Sequence, residues 1–275
     1  MGFYSERTAV VTGGGSGIGR ALGEELARRG ALVVLADVDP DRVGAAAEAI
    51  ARQGGRATGA RLDVADPGAV KSLIDGVVDR QGRLDYLFNN AGIAVGGEAR
   101  DCSLEDWRRV IEVNLFGVIH GIDAAYPVMV RQGFGHIVNT ASIEGLVPFA
   151  VTGGYVASKY AVVGLSQALR VEGADLGVKV SVVCPGYIRT NIFRDSKMIK
   201  MDRKKILADL EGLKGLTPAR CAAIILRGVE RNQAIIVPTG AAKFLWLLER
   251  LSPGAVRFIM KLHLRRSRRN IRVED

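Results

Sequence analysis

Cysteine and aromatic residues are scarce in this sequence. Its three cysteines, Cys102, Cys184 and Cys221, are odd in number and widely spaced, which argues against a disulfide framework and a cysteine metal cluster. We therefore predict no bound metal and a reducing, cytoplasmic setting. Aromatic residues make up 6% of the chain, too few for a surface that stacks nucleic-acid bases.

Long apolar runs are also missing. The nearest candidate for a membrane span, residues 244–262, is interrupted by charged residues and by Pro253 and Gly254, whereas a span needs roughly 18 apolar residues. The first residues carry no apolar core of the kind that a signal peptide has. We therefore expect neither a transmembrane helix nor a signal peptide.

The positive charge is unevenly distributed along the chain. The net charge is +9, but nine basic and three acidic residues lie between Lys243 and the C-terminus, so that segment carries +6. Because the rest of the chain is nearly balanced, we do not expect a basic body that binds nucleic acid.

Short apolar segments alternate with longer helical patterns over most of the 275 residues. Continuous apolar strands between helices are typical of a parallel sheet that helices cover on both faces. The pattern predicts a single α/β domain with a doubly wound parallel sheet, the Rossmann fold. The predicted strands are 8–12, 32–36, 56–62, 84–88, 136–140, 179–184 and 234–237, and the main predicted helices end near 29 or span 41–53, 67–80, 104–131 and 155–175.

A glycine-rich turn lies between the first predicted strand and the first helix. Glycine adopts positive φ and lets the backbone approach a pyrophosphate closely. The following helix presents unpaired N–H groups to an anion. The turn is therefore predicted to bind a dinucleotide, through Gly13, Gly15, Ser16, Gly17, Ile18 and Gly19.

Asp37 ends the second strand, 18 residues after Gly19. A carboxylate at this place can accept hydrogen bonds from an adenosine ribose, and it repels a 2′-phosphate. The next residue is Val38 rather than an arginine, and Asp39, before Pro40, is the better candidate for the helix cap. We therefore predict NAD, rather than NADP, as the cofactor.

Further motifs, together with the glycine turn, resemble those of the short-chain dehydrogenase/reductase family. Ser142 precedes Tyr155 by 13 residues, and Lys159 follows Tyr155 by four. The resemblance covers roughly residues 5–240. Its remaining motifs are Asn89-Asn90-Ala91-Gly92, Asn114 and Pro185-Gly186.

The resemblance implies a catalytic set, a dinucleotide site and a homodimer or homotetramer. The implied catalytic residues are Asn114, Ser142, Tyr155 and Lys159. Beyond the glycine turn and Asp37, the implied cofactor contacts are Asp63 and Val64 beside the adenine, Asn89, Asn90, Ala91 and Gly92 after the fourth strand, Tyr155 and Lys159, and Pro185, Gly186, Ile188 and Thr190.

The chemistry of this set is consistent with proton transfer. Tyr155 and Lys159 are four residues apart, so they share one face of a helix. The pKa of a free phenol is about 10, too high for an efficient base near neutral pH, and we expect the lysine cation to lower it. Ser142 is expected to hold the substrate oxygen, and Asn114 a water that relays the proton.

Mostly apolar segments are expected to line the substrate pocket, namely 93–97, 146–149, Tyr187 and 192–193. The sequence thus predicts an NAD-dependent oxidoreductase that interconverts a small apolar alcohol and its ketone or aldehyde. One alternative is an NADPH-dependent ketoacyl reductase whose lysine-rich lid meets an acidic carrier protein. Another is a dinucleotide-binding sensor or scaffold without turnover.

Residues 1–240 are predicted to form the catalytic domain, with a lid at about 190–215. Residues 241–275 form an amphipathic, basic C-terminal extension, for which two interpretations remain open. The extension packs on the body or on a neighbouring subunit, or it lies on an anionic membrane surface. His120, His136 and His263 lack any catalytic pattern around them and are expected to be structural or at the surface.

Overall fold

The computed structural model describes residues 2–273. The strands are β1 (Thr8–Thr12), β2 (Leu32–Asp37), β3 (Arg56–Arg61), β4 (Tyr86–Asn89), β5 (Val95–Gly96), β6 (Gly135–Thr140), β7 (Val178–Val183), β8 (Lys197–Met198) and β9 (Ile235–Ile236). The α-helices are α1 (Gly17–Arg28), α2 (Pro40–Arg52), α3 (Pro67–Gln81), α4 (Leu104–Ile111), α5 (Gly117–Gln132), α6 (Gly153–Glu172), α7 (Ile192–Asp195), α8 (Arg203–Glu211), α9 (Pro218–Glu230), α10 (Gly240–Leu251) and α11 (Pro253–Asn270).

Seven parallel strands form the main sheet in the order β3-β2-β1-β4-β6-β7-β9. All five residues of β1 are buried, because helices cover both faces of the sheet. The direction of winding reverses between β1 and β4, and a ligand crevice forms where the carboxyl ends of two such strands diverge. The predicted doubly wound Rossmann fold is confirmed.

Neighbouring residues of the strands point into two different core layers, because side chains alternate between the faces of a sheet. Leu35 packs with Leu26 of α1 and Ile225 of α9 on one face. Val34 belongs to the layer on the other face, with Met129 of α5. Full burial of one such side chain contributes about 1.5–3 kcal/mol, so these contacts hold the helices, and the loops between them, against the sheet.

The predicted helix 104–131 is interrupted by a π-helical turn, Glu112–Phe116, between α4 and α5. A π turn adds a residue to the helical repeat and redirects the side chains around it, often at a functional site. By length and composition, Leu104–Gln132 could also cross a membrane, with a mean hydropathy of 1.3. However, Val118 and Met129 of this helix pack in the core.

The lid is a segment that leaves the body of the protein and returns to it, and backbone hydrogen bonds join its two ends. The N–H of Arg189 donates to the Leu216 carbonyl at 2.9 Å, and the N–H of Leu216 donates to the Tyr187 carbonyl at 3.2 Å. Within the lid, β8 pairs in parallel with β5, and Lys197 Nζ lies 2.6 Å from Asp106 Oδ1 of α4. Helix α8 has no buried residue, so the lysine-rich part of the lid is solvated.

The C-terminal helices α10 and α11 form a hairpin that packs on the body through its inner side. Ala242 and Val256 are buried in one core cluster. Helix α11 ends beside the lid, where Arg268 Nη2 lies 2.7 Å from Glu98 Oε2. The interpretation that the extension packs on the body therefore holds for this inner side.

Residues 271–273, which we call the strap, run along the lid. The N–H of Asp202 donates to the Ile271 carbonyl at 2.7 Å, and the N–H of Val273 donates to the Lys200 carbonyl at 3.1 Å. Between them, Arg272 Nη1 lies 2.7 Å from Asp101 Oδ2. The strap thus joins the lid to the segment before α4.

Candidate active site

The turn after β1 is so tight that only glycine fits at its ends. Gly13 has φ +64°, and a Cβ there would lie 2.9 Å from the Ala91 Cα. A Cβ at Gly19 would lie 2.1 Å from the Gly13 carbonyl oxygen. Ser16 makes no side-chain cap to α1, and Ile18 packs against the core. No side-chain cap therefore competes with an anion for the first N–H groups of α1.

Thr12 joins the two strand ends that flank the crevice. Its hydroxyl accepts the N–H of Asn90 at 3.0 Å and that of Ala91 at 3.1 Å. Thr12 was not among the predicted site residues, although it stands at the head of the glycine motif. Asn89 is the last residue of β4, the strand end where the resemblance places it. Its side chain is buried, and its Nδ2 donates to Asn139 Oδ1 at 2.9 Å within the sheet.

Asp37 lies against the glycine turn, where its Oδ2 accepts the N–H of Gly15 at 2.9 Å. Asp39 caps α2, as predicted, by accepting the N–H of Arg42 at 3.0 Å. Although Val38 follows Asp37 in the chain, an arginine lies near Asp37 in space. A Cβ on Gly15 would lie 2.9 Å from both Asp37 Oδ2 and Arg42 Cβ, because the first turn of α2 brings Arg42 back towards the end of β2.

The Arg42 side chain spans from α2 to the lid. Its Nε lies 3.0 Å from Asp39 Oδ2, and its Nη1 lies 3.5 Å from Asp195 Oδ2 of α7. An ion pair thus joins the first turn of α2 to the lid.

The two predicted adenine residues follow β3. Asp63 is exposed, and its Oδ1 accepts the N–H of Ala65 at 2.9 Å. Val64 is buried, and its carbonyl oxygen lies 2.9 Å from Nδ1 of His120. His136 is also buried, and burial lowers its pKa to about 3. Both histidines therefore have structural surroundings.

Ser142, Tyr155 and Lys159 converge at the end of β6, and all three are buried. Ser142 follows the strand, and its Oγ accepts the N–H of Glu144 at 3.2 Å. Tyr155 and Lys159 lie one turn apart on α6. Lys159 Nζ donates to the Thr140 carbonyl at 2.9 Å and lies 5.5 Å from the centre of the Tyr155 ring. The helix thus presents a hydroxyl and an amine to one place.

The π turn positions Asn114 between α6 and the loop after β4. Its Oδ1 accepts the N–H of Ile93 at 2.8 Å, and its Nδ2 donates to the Ile93 carbonyl at 2.9 Å and to Ser158 Oγ at 3.2 Å. A Cβ on Gly92 would lie 3.2 Å from Asn114 Oδ1. Asn114 therefore fixes the loop that passes beside Lys159.

The pKa of Tyr155 is raised and the pKa of Lys159 is lowered, so both shifts disfavour the charged form of the side chain. Burial raises the pKa of Tyr155 above its ordinary value of about 10, Glu144 raises it further, and a hydrogen bond with Ser142 opposes the shift. Burial lowers the pKa of Lys159 to about 8. The expectation that Lys159 lowers the pKa of Tyr155 is wrong for the free protein, because burial penalises the charged form of each group.

Glu144 is an acidic neighbour of the site that the sequence motifs did not single out. Its Oε2 accepts the hydroxyl of Thr152 at 2.6 Å, and burial raises the pKa of its carboxyl. Its charge, when the carboxyl is ionised, disfavours a phenolate and so raises the pKa of Tyr155. The sequence signal that could have identified Glu144 is its position, two residues after Ser142.

The chain after Pro185-Gly186 runs from the end of β7 to the glycine turn. Ile188 is buried in the core cluster that contains α1 residues. A Cβ on Gly17 would lie 3.2 Å from Thr190 Cγ2. Predicted cofactor residues from distant parts of the chain therefore meet at the crevice.

An apolar cluster surrounds the Tyr155 side chain. Val95 and Val110 are buried with it, and Ile93 and the lid residue Ile199 pack against them. The lid thus contributes an apolar side chain to the cluster that contains Tyr155.

The other predicted pocket residues divide into two groups. The rings of Tyr187 and Phe193 are 6.0 Å apart between centroids, at the start of the lid. Leu146 and Phe149 pack against the core cluster that includes Val256 of α11. The C-terminal hairpin therefore supports this part of the predicted pocket wall.

Residues 7–199 match the family model for short chain dehydrogenases. The chain belongs to the short-chain dehydrogenase family. As a member of this family, the protein is an NAD(P)-dependent oxidoreductase.

Relatives in the family extend the similarity beyond the matched segment. A cyclohexanol dehydrogenase from Acinetobacter sp. (strain SE19) is 38% identical over 204 residues, which is 72% of this chain and 80% of that protein. A D-beta-hydroxybutyrate dehydrogenase from Rhizobium meliloti (strain 1021) is 34% identical over 247 residues, 88% of this chain and 91% of that protein.

A crystal structure shares the fold. A short chain dehydrogenase/reductase from Burkholderia phymatum, solved in complex with NAD, has a TM-score of 0.83 and 30% identity, covering 91% of this chain and 95% of that chain. In the present chain, the start of α1 beside the glycine turn has no side-chain cap, so its first N–H groups suit the pyrophosphate of such a dinucleotide.

Proposed function

We propose that this protein interconverts an apolar secondary alcohol and its ketone with NAD as the cofactor. The observation that carries the proposal is the convergence of Ser142, Tyr155 and Lys159 at the end of β6. Cyclohexanol and hydroxybutyrate, which appear in the names of two relatives, are both secondary alcohols. An alcohol and aldehyde pair would use the same residues.

Tyr155 is the general acid and base of this reaction. Its hydroxyl exchanges a proton with the substrate oxygen, while Ser142 Oγ donates a hydrogen bond that orients the same oxygen. When bound, the nicotinamide supplies or accepts the hydride. Because burial raises the pKa of Tyr155, the phenol keeps its proton in the free protein, a state suited to donation towards a carbonyl oxygen.

Lys159 and Asn114 complete the catalytic set. Lys159 holds the cofactor ribose and supplies a cation near the Tyr155 oxygen, while Asn114 holds the loop at Ile93 and a water that passes the proton towards solvent.

The residues that would hold the cofactor lie along the carboxyl ends of the central strands. Its pyrophosphate would meet Gly13, Gly15, Ser16, Gly17, Ile18 and Gly19. Its adenosine ribose would meet Asp37, whose Oδ2 accepts the N–H of Gly15 at 2.9 Å and whose Oδ1 accepts the N–H of Asp39 at 3.2 Å, so that the carboxylate is held at the end of β2. The remaining contacts are Asp63 and Val64 at the adenine, Asn90, Ala91 and Gly92 in the middle, and Pro185, Gly186, Ile188 and Thr190 at the nicotinamide end.

The substrate is a small apolar alcohol or carbonyl compound. Ile93, Val95 and Ile199 surround Tyr155 with apolar atoms, which favours a hydrocarbon body around the reacting carbon. Tyr187 and Phe193 extend this apolar character at the start of the lid.

One observation favours NADPH, and with it a ketoacyl reductase, as the second candidate. Arg42 lies beside Gly15 and Asp37, where a guanidinium could bind a 2′-phosphate. However, Arg42 already pairs with Asp39 and Asp195, and Asp37 would repel the phosphate. NAD therefore remains the proposed cofactor.

We also propose that the enzyme is a cytoplasmic homodimer or homotetramer. Phe116 of the π turn and Tyr160 of α6 are exposed aromatic residues, and burial of such rings between subunits would be favourable. Light scattering of the purified protein measures the assembly directly.

A substrate panel tests the proposed function. Apolar secondary alcohols and ketones are offered with NAD(H) and with NADP(H), and the nicotinamide absorbance is followed. We expect turnover with NAD(H) and an affinity for NADH at least about tenfold higher than for NADPH, a difference of only some 1.4 kcal/mol. Equal affinities would refute the assignment of NAD, and cofactor binding without any turnover would favour a non-catalytic sensor.

A further inference from the structure

The outer side of the C-terminal hairpin carries large apolar side chains that the protein does not bury. On α10 they lie opposite the buried Ala242, and on α11 they lie beside or away from the buried Val256. We call this set the hairpin face, and its members are 44% to 75% exposed. They are Phe244, Leu247 and Leu251 of α10, and Phe258, Ile259 and Leu262 of α11.

Both helices expose the large apolar side chains of the hairpin face to solvent. Residues 244, 247 and 251 follow the i, i+3, i+7 spacing of one helix face, and Phe258 and Leu262 are four residues apart. Ala242 and Val256, on the inner sides, are buried in one core cluster. The inner sides are therefore covered by the body, whereas the hairpin face stays exposed, with Leu247 and Leu251 at the edge of a groove that Ile224 and Ile235 also line.

The charges around the hairpin face are all positive. Seven exposed basic residues lie on these helices, and none pairs with a carboxylate among residues 2–273. The acid of residues 240–273, Glu249, is half-buried. The seven basic residues are Lys243, Arg250, Arg257, Lys261, Arg265, Arg266 and Arg269.

We propose that the hairpin face binds the surface of a bilayer that contains anionic phospholipids. Apolar side chains rimmed by cations match the boundary between acyl chains and anionic head groups. Neither helix can span the bilayer, since α10 has 12 residues and α11 has 18 with a basic C-terminal half. The hairpin therefore lies flat on the membrane.

Charge complementarity favours an anionic bilayer over a second copy of the chain or a nucleic acid as the partner of the hairpin face. A second copy docked face to face would place seven unpaired cations against seven more, which is repulsive. A nucleic acid would neutralise the cations but would offer little to the six apolar side chains. An anionic bilayer satisfies both sets at once.

Co-sedimentation with vesicles tests the proposal, using the full chain. Vesicles of phosphatidylcholine alone are compared with vesicles that also contain phosphatidylserine, at low and high salt. We expect binding to the anionic vesicles only, weakened by salt. The double variants Phe258→Ser/Leu262→Ser and Arg265→Gln/Arg269→Gln should each bind roughly tenfold or more weakly.

Matched controls separate this surface from general stickiness. Val171 and Leu176 are 78% and 44% exposed on another part of the protein, so Val171→Ser/Leu176→Ser should leave binding unchanged. Arg52→Gln/Arg131→Gln serves the same purpose for charge. Dehydrogenase turnover in the absence of vesicles, which uses none of these residues, reports that each variant is folded.

Three results would overturn the proposal. They are no binding to anionic vesicles, equal binding by the hairpin variants and the wild type, and a fall in oligomer size when Phe258 and Leu262 are replaced. The last result would identify the hairpin face as a contact with a second copy. All three are independent of whether NAD or NADP is the cofactor.

Discussion

Two regions of this enzyme are built from different kinds of contact. We call the glycine turn and the strand ends around it the cofactor side, and the lid with the strap and its neighbours the substrate side. On the cofactor side, short connections such as the 2.9 Å bond from the Gly15 N–H to Asp37, 22 residues away, follow from the carboxyl ends of adjacent strands. On the substrate side, Arg268 reaches Glu98 across 170 residues. The first kind depends on glycine and strand order, and the second on single charged side chains. Substitutions should therefore separate the two sides.

The largest expected effect is at the point where the two sides meet. Tyr155→Phe removes one hydroxyl and should lower turnover by roughly 10²–10⁴-fold, the usual contribution of a general acid or base. NADH affinity should remain nearly unchanged, since the ring and its apolar neighbours stay. Steady-state kinetics with an NADH titration measure both, and near-normal turnover would refute the proposed role of Tyr155.

A second substitution isolates the cofactor side. Asp37→Ala removes the carboxylate beside Gly15 and leaves Arg42 in place, so the ratio of NADH to NADPH affinity should fall at least about tenfold. Titration of both cofactors gives the ratio. The variant Asp37→Ala/Arg42→Ala is the control, because it should lose the gain in NADPH affinity. An unchanged ratio in Asp37→Ala would mean that another residue selects the cofactor.

A third substitution isolates the substrate side. Arg272→Ala breaks the strap's ion pairs to Asp101 and Glu98, and KM for an apolar substrate should rise about fivefold, since such a pair contributes up to about 1 kcal/mol. NADH affinity should be unaffected. Arg269→Ala is the matched control, because Arg269 has no carboxylate partner among residues 2–273. A parallel loss of NADH affinity would contradict the separation of the two sides.

The smallest effect is expected where an exposed ion pair links the two sides. Arg42 and Asp195 are 3.5 Å apart, and their side chains are 51% and 56% exposed, so solvent and salt screen the pair. Asp195→Asn should change NADH affinity by less than roughly threefold at low salt and not at high salt. A larger, salt-independent loss would show that the lid holds the cofactor by other means.

Sequence reasoning reached the cofactor side because its signals are local. The glycine turn, the cap at Asp39 and the apolar strands each depend on residues close in the chain, and the structure has them where they were predicted. Arg42 was missed because only the residue next to Asp37 in the chain was considered. The first turn of α2 brings Arg42 back towards Asp37, and the sequence alone does not show this. Local patterns also give no signal for the π turn that holds Asn114, since its residues are ordinary in a helix.

The substrate side needed information that a single sequence does not carry. Nothing near Glu98 or Asp101 indicates that Arg268 and Arg272 are their partners. The pKa of Tyr155 depends on total burial, which is a property of the packed molecule. The apolar and basic pattern of the C-terminal extension was visible, but the structure shows which of its residues the body buries.

The strap has a consequence for how the enzyme is made. It follows β9, the last strand of the sheet, by more than 30 residues in the chain, and a domain generally folds as a unit. The residues of the dinucleotide crevice are therefore all synthesised before the residues that fasten the lid. The fastening of the lid is the last part of the described fold that synthesis supplies.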